Sequence, residues 1–94
     1  MSTGGVVGQS FYFQLPNMSI KVLYFASLKD IAGRDCDELQ TGESLTPREI
    51  WRMLHPGIAM PDAVLAAVNQ EYASLDGTVR DGDELAFFPP VTGG

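Results

Sequence analysis

Glu84-Leu-Ala-Phe-Phe88 alternates apolar side chains onto both faces of an extended segment, and Pro89-Pro90 follows at once. No other stretch limits the fold so tightly. Side chains alternate along a strand, so Leu85 and Phe87 share one face while Ala86 and Phe88 share the other. Proline has no amide proton to give to a ladder, so pairing fails at Pro89 and the Pro-Pro pair sets a stiff, extended exit. The chain therefore needs a sheet that holds this strand and releases a short tail from it. Residues 19–25 (SIKVLYF) read as the first strand, with Ile20, Val22 and Tyr24 on one face and Lys21, Leu23 and Phe25 on the other. Both faces are largely apolar. Either the strand is covered on both sides or one face awaits a partner.

Between these strands the helix punctuation is clear. Thr46-Pro47-Arg48-Glu49 has the form of a capping box with proline at the first helical position. Leu45 and Ile50 stand where a hydrophobic staple would be. Ile50, Met53 and Leu54 form the expected buried stripe with Trp51 beside it, and Pro56-Gly57 ends the helix. His55, just before that break, is expected to cap terminal carbonyls. A shorter helix starts at Ser27, read as its N-cap with Asp30 at the third position, and stops at Gly33. Residues 35–40 read as a weaker strand and residues 64–69 as a buried one. A turn near Asn69-Gln70-Glu71 leads to a short strand around Tyr72. Asp76-Gly77 and Asp81-Gly82-Asp83 are turn signals.

The order is strand, short helix, strand, helix, strand, short strand, strand. One mixed sheet on the 46–54 helix would bury Val22, Tyr24, Ile50, Leu54, Val68, Leu85 and Phe87, an α+β arrangement with the first and last strands as the central pair. At 94 residues this is one domain. Residues 1–17 carry no charge at all, and every charge lies at or beyond Lys21. They read as an extension: an upstream start, an expression remnant or a loose tail. Residues 18–90 then form the domain and 91–94 the tail.

Composition excludes several functions. The net charge of −6 argues against nucleic acid, which needs a basic face. It fits docking on basic partner surfaces, or solubility alone. No stretch is long and apolar enough to span a membrane. A single cysteine, Cys36, forms no internal disulfide and suggests a reducing, cytoplasmic compartment; it reads as a small, partly buried apolar residue. One Cys and one His assemble no zinc site, and no phosphate loop, dinucleotide fingerprint or nucleophile elbow is present. The chemistry is expected on the last atom instead. A Gly-Gly end arises by chance in about one chain in 200. Gly93-Gly94 lacks side chains and can thread a narrow tunnel, presenting a carboxylate to another protein's active site.

The run from Asp81 to Gly94, DGDELAFFPPVTGG, resembles the C-terminus of the MoaD family, the small subunits of molybdopterin synthase. The first strand and Leu65-Ala-Ala-Val-Asn-Gln70 are similar to that family too, so the resemblance spans residues 18–94. It implies a ubiquitin-like β-grasp fold. It also implies a sulfur carrier. An ATP-dependent adenylating enzyme would convert the Gly94 carboxylate to an acyl-adenylate, and sulfur would replace AMP to give a thiocarboxylate. The tail would insert into the large synthase subunit, which holds cyclic pyranopterin monophosphate and the catalytic groups. Two small and two large subunits are implied, with ATP consumed by the partner and no cofactor bound to the carrier itself. On this reading Gly94 carries the reacting atom, Gly93 keeps the approach thin, and Val91 and Thr92 line the tunnel mouth. Phe88 is the candidate anchor, with Leu23 and Phe25 extending its patch; the alternative for Phe88 is burial under residues 1–17 or a loop. Lys29, where the family often has a basic residue, either pairs with a partner's carboxylate or is a solvated helix lysine. Three rivals stay open: a carrier for thiamine, tRNA thiolation or cysteine synthesis; a modifier forming isopeptide bonds; and a binding module with an incidental Gly-Gly.

Overall fold

The computed structural model describes residues 19–90. Five strands and two helices follow in the order β1 (Ile20–Tyr24), α1 (Ser27–Ala32), β2 (Cys36–Leu39), α2 (Pro47–Leu54), β3 (Leu65–Val68), β4 (Glu71–Ala73) and β5 (Glu84–Phe88). They form one mixed sheet of order β2-β1-β5-β3-β4. The first and last strands lie parallel at its centre, with Val22 opposite Leu85 and Tyr24 opposite Phe87. All other pairings are antiparallel. This is the expected β-grasp architecture. The proposed boundaries at residues 17 and 90, and the tail residues 91–94, lie at or outside the edge of the described segment.

One face of the sheet carries the core. Ile20, Val22 and Tyr24 from β1, Leu85 and Phe87 from β5 and Ala66 from β3 meet Ile50 and Trp51 of α2 and Leu28 and Ala32 of α1. Leu54 and Val68 pack on this cluster half-buried. The helix stripe differs from the expected one: Trp51 is buried and Met53 is 52% exposed. The cause is angular. At about 100° per residue, Pro47, Ile50, Trp51 and Leu54 fall within one arc, while Met53 lies outside it. Trp51 meets Tyr24 and Phe87 edge-on at 6.0 and 5.4 Å, and its indole N–H donates to the Ile58 carbonyl at 2.8 Å.

The capping box at the start of α2 is complete. The Glu49 amide donates to Thr46 Oγ1 at 3.0 Å, and the Thr46 amide donates to Glu49 Oε1 at 2.8 Å. Thr46→Ala is expected to cost about 1 kcal/mol of stability, read as a lower urea midpoint with an unchanged m-value. A wild-type midpoint would show that packing alone holds this end.

Three local expectations are corrected. Ser27 is the first residue of α1 rather than its cap; Ala26 occupies the cap at φ 54° without a side-chain hydrogen bond. The chain must turn immediately after the Phe25 amide bonds the Phe87 carbonyl at 3.1 Å, which brings the helix one residue forward. Cys36 is exposed, because β2 is an edge strand. His55 points inward rather than onto the carbonyls of α2. Its ring is buried, with Nε2 2.6 Å from the Tyr24 hydroxyl. His55 still caps α2 through its backbone amide, which donates to the Trp51 carbonyl at 2.8 Å, and at the same end the Arg34 guanidinium donates to the Leu54 carbonyl at 3.4 Å and to Asp37 Oδ2 at 2.6 Å.

The Tyr24 hydroxyl donates to Asp37 Oδ2 at 2.8 Å. With that proton committed, the contact to His55 requires Nε2–H as donor. Burial, then the Asp37 carboxylate, hold the phenol well above its ordinary value, so it stays a donor. Burial, then the Arg34 charge, lower the His55 pKa below its ordinary 6.5, against a smaller opposing pull from Asp37. The folded state thus binds fewer protons at His55 than the unfolded state. This contribution is fully present above about pH 6.5 and is lost as pH falls below it toward the depressed folded value. Denaturation at pH 7.5 and 5.5 should show a smaller acid loss for His55→Gln than for the parent chain; equal losses would remove His55 from the account.

Candidate functional site

The opposite face of the sheet is not covered by either helix. Cross-strand register lines up Cys36, Leu23, Ala86, Ala67 and Tyr72 in one row across all five strands. Directly opposed residues share a face, so this row is the middle of the outer surface. The two alanines form a low floor. Larger side chains rise around it: Leu23 and the Phe25–Phe88 pair on one side, Tyr72 on the other. The result is a trough of about 490 Å³. Phe25 and Phe88 are stacked, with centroids 4.8 Å apart and planes 4° apart, and Tyr72 approaches Phe88 at 6.3 Å. Phe25 is 39% and Tyr72 74% exposed, so aromatic surface stands open to solvent here.

The sequence explains the shape. Odd-numbered residues of β1 and even-numbered residues of β5 point outward, which brings Leu23, Phe25 and Phe88 together as expected. Phe88 is half-buried by its neighbours within the sheet. Tyr72 was missed. Its signal was the two-residue turn at Asn69-Gln70, where both residues have positive φ and so fix a tight hairpin that sets Tyr72 opposite Ala67. The trough is polarised: Glu84 and Gln70 line it toward the end where Lys21 lies opposite both Glu38 and Glu84.

Phe88 lies at the other end, where β5 runs into Pro89 and Pro90. The α1 helix begins beside this exit, since Phe25 pairs with Phe87 and the Leu28 and Lys29 amides bond back to Phe25 and Ala26 at 3.0 Å. Lys29 is therefore exposed near the point where the tail leaves, and it makes no ion pair with another described residue. Val91, Thr92, Gly93 and Gly94 lie outside the described residues. Among the described residues there is no His, Cys, Asp and Glu cluster able to hold a metal, and no helix is long and apolar enough to cross a membrane. A second depression, at the end of α2, is lined by Arg48, Arg52 and Ile58, but Arg48 is engaged by Asp76 at 3.1 Å. Among the described residues the trough is lined by apolar side chains with Gln70 and Glu84 at one end, a surface suited to binding through an apolar face.

A β-grasp sheet with an open aromatic face beside a proline-stiffened exit defines the class of small ubiquitin-like proteins. The sequence comparison narrows it: the chain belongs to the ThiS family, whose model matches residues 22–94. It is 44% identical over 80 residues to the molybdopterin synthase sulfur carrier subunit of Escherichia coli (strain K12), covering 80% of this chain and 99% of that protein. The subunit of the same name from Homo sapiens is 31% identical over 87 residues, covering 85% of this chain and 99% of the relative. Among solved structures, SAMP1 from Haloferax volcanii matches with a TM-score of 0.63 at 28% identity, covering 81% of this chain and 99% of that one.

Proposed function

We propose that this chain is the sulfur carrier subunit of a molybdopterin synthase, acting in the cytoplasm and non-catalytic on its own. The observation that carries this reading is the 44% identity across nearly the whole Escherichia coli subunit, together with a family match that runs to Gly94. The Gly94 carboxylate attacks the α-phosphate of ATP on an adenylating enzyme, releasing pyrophosphate. A carboxylate alone is a poor electrophile, whereas the acyl-adenylate has AMP as leaving group. A sulfur nucleophile displaces AMP and leaves a thiocarboxylate. In the large synthase subunit this sulfur passes to cyclic pyranopterin monophosphate, and hydrolysis returns the Gly94 carboxylate. Two such rounds build the dithiolene, within an assembly of two small and two large subunits. ATP is consumed by the adenylating partner, and the carrier binds no cofactor.

The trough supports this scheme by giving both partners an apolar surface beside the tail. Phe88, Phe25, Leu23 and Tyr72 dock; Val91 and Thr92 line the tunnel mouth; Gly93 keeps the approach narrow; Lys29 pairs with a carboxylate across the interface. Incubation with ATP, a sulfur source and the cognate adenylating enzyme should raise the intact mass by the difference between sulfur and oxygen, within the C-terminal peptide. No shift, with the enzyme active on another carrier, would overturn the proposal.

The likeness to SAMP1, a small archaeal modifier protein, favours one second reading: the same adenylate captured by lysine amines. Isopeptide conjugates recovered from cells, without thiocarboxylate, would select it.

A further inference from the structure

We propose that the trough seats an arginine side chain of the docking partner, its stem laid over the alanine floor and its guanidinium held by Glu84 and Gln70. The seat follows from the surface itself; its use in docking on the large synthase subunit rests on the function proposed above. Apart from Glu84 and Gln70, every side chain lining the trough is aliphatic or aromatic. Glu84 is half-buried there. Its backbone is engaged by Asn69, through bonds of 2.8 and 2.9 Å, but its carboxylate makes no ion pair with another described residue. Lys21 stands opposite Glu84 on one side and Glu38 on the other, so one ammonium faces two carboxylates and one negative charge is left over. A partner surface that covered the trough with apolar groups alone would strip water from the Glu84 carboxylate without pairing it, which is strongly unfavourable. The covering surface therefore brings a cation.

The shape selects arginine over lysine. Two acceptors line the same end, the Glu84 carboxylate and the Gln70 amide oxygen. A guanidinium presents several N–H donors in one plane and sheds water readily, whereas an ammonium is a compact, strongly hydrated charge. Ala67 and Ala86 are only 6% and 8% exposed and raise no bulk above the sheet, so an apolar stem can lie across them. Ala86 sits between Glu84 and Phe88 along β5, roughly 7 Å from each. Tyr72, opposite Ala67 and 74% exposed, adds an aromatic ring on which a guanidinium can stack. A seat polarised in this way fixes the direction of docking. With the cation at Glu84, the partner's apolar groups fall on Phe25 and Phe88, beside the exit of the tail. The reversed pose sets the cation against the phenyl pair and leaves Glu84 unpaired.

A small probe tests the seat without a partner. N-acetyl-arginine amide, titrated into the isotope-labelled whole chain, should shift the amide signals of Ala67, Gln70, Glu84 and Ala86 together along saturable curves. N-acetyl-citrulline amide, alike in shape but uncharged, should shift them several-fold less, and Glu84→Gln should erase the difference between the two. Equal shifts from both probes would overturn the proposal. So would the absence of shifts at these residues, or arginine shifts that persist in Glu84→Gln. In titration of the large subunit, Glu84→Gln should raise Kd roughly tenfold, the loss expected for a hydrogen bond to a charged group. Lys21→Gln removes the competing cation and should not raise it. A Kd unchanged by Glu84→Gln, or raised equally by both variants, would overturn the arginine seat. The probe titration needs no partner, so its failure is distinct from failure of the sulfur-carrier reading.

Discussion

A bulky side chain at Gly94, as in Gly94→Phe, is expected to abolish sulfur transfer while leaving the unfolding midpoint within about 0.5 kcal/mol of the parent. The two halves of this expectation have separate origins. The proposed reaction requires the terminal carboxylate to reach two active sites in turn, and misplacement of a reacting group by about 1 Å can cost roughly 100-fold in rate. A phenyl ring on the reacting residue displaces the carboxylate by more than that in any tunnel fitted to glycine. Stability, by contrast, is set by the cluster of Ile20, Tyr24, Ile50, Trp51, Leu85 and Phe87, all upstream of Pro89. Single-turnover transfer to the large subunit, run beside thermal denaturation, reads both. A substantial drop in midpoint would mean that the tail belongs to the folded core. Retained transfer would remove Gly94 as the reacting residue.

Much of this architecture was legible in the residues because local and tertiary requirements agree. The period-2 patterns of β1 and β5 assign every outward and inward side chain, and the capping box of α2 is written in four consecutive residues. Legibility fails where the deciding contact is distant in sequence. His55 looks like a helix-end residue until Tyr24, 31 positions earlier, is folded against it. Trp51 outranks Met53 because the sheet meets α2 on the arc centred between Pro47 and Leu54, and the helix pattern alone leaves that centre open. Val79 is fully buried through a bridge to Leu45, with backbone bonds of 2.9 and 2.7 Å, yet it sits between turn signals with no periodicity of its own. The same holds for the site. Leu23, Phe25 and Phe88 follow from strand parity; Tyr72 joins them only through the register of three strands.

Phe88→Ala should weaken docking on the large subunit by at least about 2 kcal/mol, close to a 30-fold rise in Kd. Position and chemistry both argue for a large effect. Phe88 contacts both of its aromatic neighbours, stacking on Phe25 at 4.8 Å and meeting Tyr72 edge-on at 6.3 Å, so its loss opens the wall of the trough. It is also the last strand residue before the tail, so whatever seats this ring sets where Gly94 arrives. The cost to folding should be smaller, because Phe88 lies on the face opposite Phe87 and the main core. Phe25→Ala should weaken docking less, and the two changes together should fall short of additive, since each removes the other's stacking partner. Calorimetric titration of the large subunit with the single and double variants measures this coupling. Strict additivity would mean that the rings act separately. An unchanged Kd for Phe88→Ala would move the docking surface away from the trough, leaving the tail alone to find the partner's active site.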